Sequence, residues 1–285
     1  MRTIQQPGPA EAERLQWADG SGRKLTLELR PGLLLDAIAD AFASQGYASG
    51  VLRLPAGLPL APFAYVMPAL SATPDHAAFY SETFRPDGVT RIETGALTFG
   101  ERDGTPFFHA HALWREADGT AGGGHILPDQ SFLADAISVE AYGIDGAGFV
   151  AGHDPETNFK LFMPERRPPA APGGNRFFAM RLRPNGDVFS VLEDFCAERG
   201  IGHAVIHGGV GSTIGARFAD DRSVEPFATE IAITAGHVAP GPDGRPEAAI
   251  AIALVDYTGG LAQGALKRGE NPVLMTLELL LEARG

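Results

Sequence analysis

The sequence predicts an α+β protein, rich in antiparallel strands and built from two copies of one unit. Three observations lead there. Gly (36) and Pro (22) are frequent enough among 285 residues to imply many turns, which suits a sheet-rich chain better than a helical bundle. Each half carries one segment with helical spacing of apolar residues, set among strands with alternating patterns. The order of these features before residue 163 returns after residue 175.

The first half opens with "KLTLELRPG", an alternating strand closed by an Arg-Pro turn, and continues into "LLLDAIADAFASQGY", an amphipathic helix. The second half opens with "RFFAMRLRPNG" and continues into "DVFSVLEDFCAERGI". Gly46 and Gly200 supply the expected stop signals. A strand follows each helix, "GVLRLPAG" or "HAVIHGGVGS". Then "ETGALTFGERDGTPFFHAHALW" aligns with "EIAITAGHVAPGPDGRPEAAIAIALV", both reading as strand, Asp-Gly turn, strand. Asp103-Gly104 corresponds to Asp243-Gly244, and Pro106 to Pro246, an offset of 140 residues. Each half closes on a last strand, "ADAISVEAYG" or "PVLMTLELLLE". Duplication of one α+β unit is the simplest account. The expected boundaries are a first domain over 1–150, a linker over 151–175 containing "MPERRPPAAPGGN", and a second domain over 176–285. The first half also holds an extra segment, roughly Pro59 to Val89, of the kind that forms functional loops or lids.

The charge narrows the partners. Lys plus Arg is 23 against 35 Asp plus Glu, a net charge of −12, so nucleic acid and anionic membrane are not expected as general partners. No signal peptide and no membrane-length apolar run are visible, and a cytoplasmic location is expected. The single cysteine, Cys196, excludes an intrachain disulfide framework and reads as a small core thiol on the second helix. There is no Gly-x-Gly-x-x-Gly opening a helix, no P-loop ending after "IHGGVGS", and no Gly-x-Ser-x-Gly elbow.

Chemistry concentrates in "HAHALWREADGTAGGGHILP". His109 and His111 alternate, so a strand points both side chains to one face, with Cβ atoms about 6–7 Å apart. Asp118-Gly119 supplies a turn that returns the chain and brings His125 beside them. The offset of 140 provides an internal control: His109, His111 and His125 fall on Ala249, Ala251 and Ala265. Three residues lost together are more naturally one site than three independent structural choices. Three imidazoles without a nearby cysteine suit Zn²⁺, with Fe, Ni, Co or Mn as alternatives, and leave a coordination position for water or ligand.

At these residues the chain resembles the plants-and-prokaryotes-conserved (PPC) domain family. The resemblance rests on the His-x-His strand, the Gly-Gly-His return and the Gly/Pro turn. It extends over about Leu25–Gly146 and Arg176–Ala283, the second copy lacking the histidines. It implies two tandem domains, each a curved, mainly antiparallel β-sheet packed by an α-helix. It also implies trimeric or pseudo-symmetric self-association, and metal at the matching histidines. Plant members join the domain to an AT-hook, and no Arg-Gly-Arg core occurs here.

The expected function is therefore metal binding, with zinc favoured. A hydrolase or lyase acting on a small polar or carboxylate substrate comes first. The alternatives are a DNA-binding or regulatory member without an AT-hook, and a ligand-binding or assembly module with a structural metal. The catalytic candidates are Tyr80 and Arg85 from the extra segment, and Glu140 from the last strand of the first half. Arg85 would grip a carboxylate and Glu140 would act as a base or support a ligand. A solvated loop, and a surface strand charge, are the competing readings of these three residues.

Overall fold

A computed structural model describes residues 1–169 and 173–284. The first half contains β1 (Leu15–Leu29), β2 (Gly32–Leu33), α1 (Leu34–Ser44), β3 (Gly50–Leu54), β4 (Pro59–Leu60), β5 (Tyr65–Val66), β6 (Pro68–Ala69), β7 (Phe79–Tyr80), β8 (Thr90–Arg102), β9 (Thr105–Arg115), β10 (Ala121–Ile126), β11 (Phe132–Leu133) and β12 (Ile137–Asp145). A hairpin of β13 (Ala147–Asp154) and β14 (Phe159–Arg166) follows. The second half contains β15 (Asn175–Leu182), α2 (Val188–Glu198), β16 (His203–Ile206), β17 (Val210–Arg217), β18 (Ser223–Pro240), β19 (Pro246–Asp256), β20 (Leu261–Ala265) and β21 (Val273–Arg284). The fold is α+β and mainly antiparallel, as the turn content and hairpin patterns predict.

The two halves repeat one strand order. In the first, neighbours run β1, β12, β3, β8, β9, β10. In the second they run β15, β21, β16, β18, β19, β20. The register repeats as well: His111 pairs with His125, and Ala251, 140 residues on, pairs with Ala265. Gly124 and Gly264 share the same unusual backbone, φ 157° and 154°. The hairpin turns differ. Asp103 and Gly104 both have positive φ, as a two-residue type I′ turn requires. The second copy uses a longer turn, in which the Gly241 N–H donates to the Arg245 carbonyl and Gly244 alone adopts positive φ.

Each helix covers its own sheet. α1 buries Leu34, Ile38, Ala41 and Phe42, with the Phe42 ring stacked on Phe99 at 4.7 Å. α2 buries Val188, Phe189, Leu192, Phe195 and Cys196, and Asp187 caps it by accepting from the Phe189 and Ser190 N–H groups. Burial pushes the Cys196 thiol up to about 11, which agrees with a core thiol. A third apolar cluster joins the halves, with Phe149, Phe162, Phe177 and Leu280 among its members. The sheets also join directly, because Leu15–Gly22 of β1 pairs antiparallel with Asn175–Leu182 of β15.

Much of the expected linker over 151–175 is strand. β13 continues to Asp154, β14 occupies Phe159–Arg166, and β15 begins at Asn175. Pro164 sits opposite Phe149 on β14, whose only strand partner among the described residues is β13. An edge strand tolerates proline because its outward N–H needs no ladder partner. Residues 170–172 lie outside the described residues. The extra segment supplies only two-residue strands, of which β6 and β7 pair with each other. Among the described residues no helix is long and apolar enough to cross a membrane.

Candidate metal centre

β9 carries His109 and His111 on one face, and β10 returns His125 directly opposite His111. The return strand is possible because Gly124 has φ 157° and its α-carbon faces the Val66 carbonyl, which a Cβ would meet at 2.5 Å. One nitrogen from each ring lies within 4.8 Å of the others. His109 Nε2 is 3.0 Å from His111 Nε2, and His111 Nε2 is 3.3 Å from His125 Nδ1. Two nitrogens bound to one tetrahedral Zn²⁺ at about 2.0–2.1 Å stand about 3.3–3.4 Å apart, so the spacing fits a shared ion.

The outer nitrogens fix the tautomers. His111 Nδ1 lies 3.0 Å from the Ile231 carbonyl, which can only accept, so Nδ1 carries the proton. His109 Nδ1 lies 2.6 Å from Glu278 Oε2 and donates to that carboxylate. Both Nε2 atoms then present lone pairs to each other at 3.0 Å. With one proton on each ring neither can donate to the other, and a positive charge between them, a metal ion or a second proton on His109, resolves the conflict. Burial, followed by the charges of His109 and His125, holds the His111 imidazole well below its usual range. Burial and then His109 do the same for His125. Both rings are therefore neutral near pH 7, the form that binds a metal.

The second half supports these imidazoles. Glu278 on β21 is fully buried, and its other oxygen accepts from Thr276 Oγ1 at 3.3 Å. Arg181 Nε donates to Thr276 Oγ1 at 3.2 Å, and Arg181 pairs with Asp154 at 3.1 Å. Glu230 on β18 places Oε1 3.9 Å from His111 Nε2, and burial raises its carboxyl well above the usual range. Sequence reasoning missed both glutamates. The available signal was a carboxylate inside an apolar strand, "LMTLELLLE" for Glu278 and "ATEIAITA" for Glu230.

Two cavities open beside the triad. A chamber of about 50 Å³ is lined by His109, His111, Tyr80, Ser212, Glu230 and Thr276, among others. A cleft of about 700 Å³ includes His109, His125, Arg102, Lys160, Phe107 and Glu278 in its walls. Phe79, Tyr80 and Phe159 border both. Tyr80 lies with its ring centroid 5.3 Å from that of His125. Although the side chain is 36% exposed, desolvation around its hydroxyl, followed by the charges of Glu230 and Glu278, raises the phenol, which stays protonated.

Of the three catalytic candidates, only Tyr80 reaches the triad. Arg85 donates to the Gln130 side chain and lines neither cavity. Glu140 pairs with Lys24, accepts from the Tyr142 hydroxyl at 3.0 Å, and likewise lines neither cavity. The alternation of β12 explains this: Val139 and Ala141 take the buried face, and Glu140 takes the other.

Residues 170–283 match the Plants and Prokaryotes Conserved (PCC) domain model. Solved structures with similar folds include a plant- and prokaryote-conserved protein of Pyrococcus horikoshii, 16% identical, with TM-score 0.40, covering 53% of this chain and 96% of that one. A metal-containing protein of Archaeoglobus fulgidus is 19% identical, with TM-score 0.40, covering 52% of this chain and 97% of that one. A candidate DNA-binding protein of Ralstonia eutropha is 14% identical, with TM-score 0.35, covering 48% of this chain and 88% of that one. No curated protein matches the sequence.

Proposed function

We propose that the chain is a tandem PPC-type protein whose first unit carries a divalent-metal centre, formed by His109, His111 and His125, and that this centre acts on a small polar or carboxylate molecule in the adjoining cleft. The observation that carries the reading is the convergence of three imidazole nitrogens within 4.8 Å of one another, with His109 Nδ1 and His111 Nδ1 each turned to an acceptor. Three imidazoles with no thiolate favour Zn²⁺. A bound ion of this kind would polarise a carbonyl or carboxylate, which suits hydrolase or lyase chemistry.

The chain's own residues divide the remaining work. Glu278 holds His109 in the tautomer that frees Nε2. Tyr80 offers a protonated hydroxyl at the boundary between chamber and cleft. Arg102 and Lys160 line the cleft as its cationic groups, Lys160 already paired with Asp103 and Arg102 set over the Phe107 ring, so a ligand carboxylate would compete with Asp103 for them. Phe107 and Phe162 give it apolar walls. The second unit, lacking the histidines, serves by supplying Glu278, Glu230 and the Ile231 carbonyl.

Metal analysis of the purified protein beside His111→Ala tests this reading. The expected result is close to one divalent ion per chain in the native protein and a large loss in the variant. A native protein that takes up no Zn²⁺, Co²⁺, Ni²⁺, Mn²⁺ or Fe²⁺ on reconstitution would falsify it. Duplex DNA is the competing partner class. At a net charge of −12 the expected outcome is no gel retardation even at low salt, where phosphate contacts are strongest. Retardation there would install nucleic acid as a partner.

A further inference from the structure

Glu230 stands apart from the other buried carboxylates. Glu278 is held by His109 and Thr276, Glu282 by His207, and Asp154 by Arg181 and Arg183. Glu230 is 5% exposed, yet its Oε2 has no hydrogen-bond partner among the described residues. Its Oε1 lies 3.9 Å from His111 Nε2, too long for a hydrogen bond. A carboxylate buried this way is costly in its ionised form and otherwise takes up a proton, unless a cation or donor compensates it.

The position of Glu230 is specific. The next residue, Ile231, gives its carbonyl to His111 Nδ1. One short piece of β18 thus fixes the ring from behind and directs a carboxylate toward its metal-facing nitrogen. Glu230 also lines the chamber of about 50 Å³ with His109, His111 and Tyr80. That volume suits one or a few solvent-sized groups. The carboxylate is outside the tight group of three imidazole nitrogens, so it does not share their direct reach.

We propose that Glu230 is a fourth protein group of the metal centre, contributed by the second half, which faces the ion across the chamber and accepts a hydrogen bond from the small ligand at the open position, water being the smallest. The inference rests on the triad holding a divalent metal. It assigns the second half a direct part in metal retention, through the anionic charge of Glu230 opposite the ion.

Two variants test it, with Zn²⁺ and Co²⁺ as probes on the full chain. Affinity is read by competition with a chromophoric chelator, and coordination by the visible spectrum of the Co²⁺ form. Glu230→Gln keeps the shape and removes the charge. Glu230→Leu removes the polar group, so its metal-free form should melt at or above the native temperature, because a buried orphan is gone. For both variants metal affinity should fall about tenfold or more, the size of effect typical of groups that support metal ligands. The Co²⁺ band should also shift.

Native affinity and an unchanged Co²⁺ spectrum in both variants would overturn the role of Glu230 while leaving the triad intact. Failure of the native chain to bind either ion would overturn the triad reading itself. If Glu230→Gln does not fold, the result for Glu230→Leu decides alone.

Discussion

At the scale of single residues, the centre depends on which ring nitrogen carries the proton. Glu278→Ala removes the acceptor at 2.6 Å from His109 Nδ1 and frees the ring to choose its other tautomer. Metal affinity is expected to fall about 10- to 100-fold, measured by chelator competition. Asp154 anchors the outer end of the same chain of contacts, through Arg181 and Thr276. Burial pulls its carboxyl up, but hydrogen bonds and charge from Arg181, Thr157 and Arg183 outweigh it and leave the group below its usual range. The unfolded chain, with a carboxyl near 3.9, therefore takes up the proton first as pH falls. The contribution of Asp154 is fully present above that value and is lost as pH drops below about 4. Urea midpoints should fall in that window, and Asp154→Asn should flatten the dependence there while lowering stability at pH 7 by about 3–5 kcal/mol.

At the scale of elements, the hairpin of β9 and β10 does the positioning, and its counterpart β19–β20 supplies a control. Gly124→Ala must place a Cβ 2.5 Å from the Val66 carbonyl with φ at 157°. Strain of this kind is worth about 1–3 kcal/mol, and relieving it would displace His125 from its place opposite His111. Gly264→Ala meets the same φ problem in the second copy, where alanines replace the histidines. Both variants should lose thermal stability, but only Gly124→Ala should lose bound metal. Equal metal loss in the two would mean that the hairpin geometry is not what holds the site.

The hairpins were legible in the sequence because Asp-Gly turns and alternating strands are local signals. The offset of 140 was legible for the same reason, and the paired registers follow it. The hairpin of β13 and β14 was not legible. Pro164 and the charges of Glu165 and Arg166 give an edge strand the composition of a linker. The part of β1 before Lys24, which includes Gly20 and Gly22, was not anticipated. They are there for close approach: a Cβ on Gly22 would stand 2.4 Å from the Gly143 carbonyl.

At the scale of the whole molecule, the site is a property of the contact between halves. His109, His111 and His125 come from β9 and β10, whereas Glu278, Glu230 and the Ile231 carbonyl come from β21 and β18. No local pattern announces such a pairing, since 169 residues separate His109 from Glu278. That is why the sequence exposed the three histidines and not the groups that hydrogen-bond them. The extra segment is tied across the same boundary, with Ala78 packed among Ile214, Ala228, Leu274 and Met275. A metal bound here should therefore stabilise both halves at once. With free Zn²⁺ at 100 times its Kd, linkage adds about 2.7 kcal/mol to folding, provided the unfolded chain does not bind the ion. Hydrogen exchange resolves where that stability goes. On chelation, protection should fall on β18 and β21 as well as on β9 and β10, because the ion joins ligands whose orienting partners lie on the other half. Loss confined to β9 and β10 would instead show that the first half holds its metal alone, and that the contacts with Glu278 and Ile231 do not transmit the binding energy.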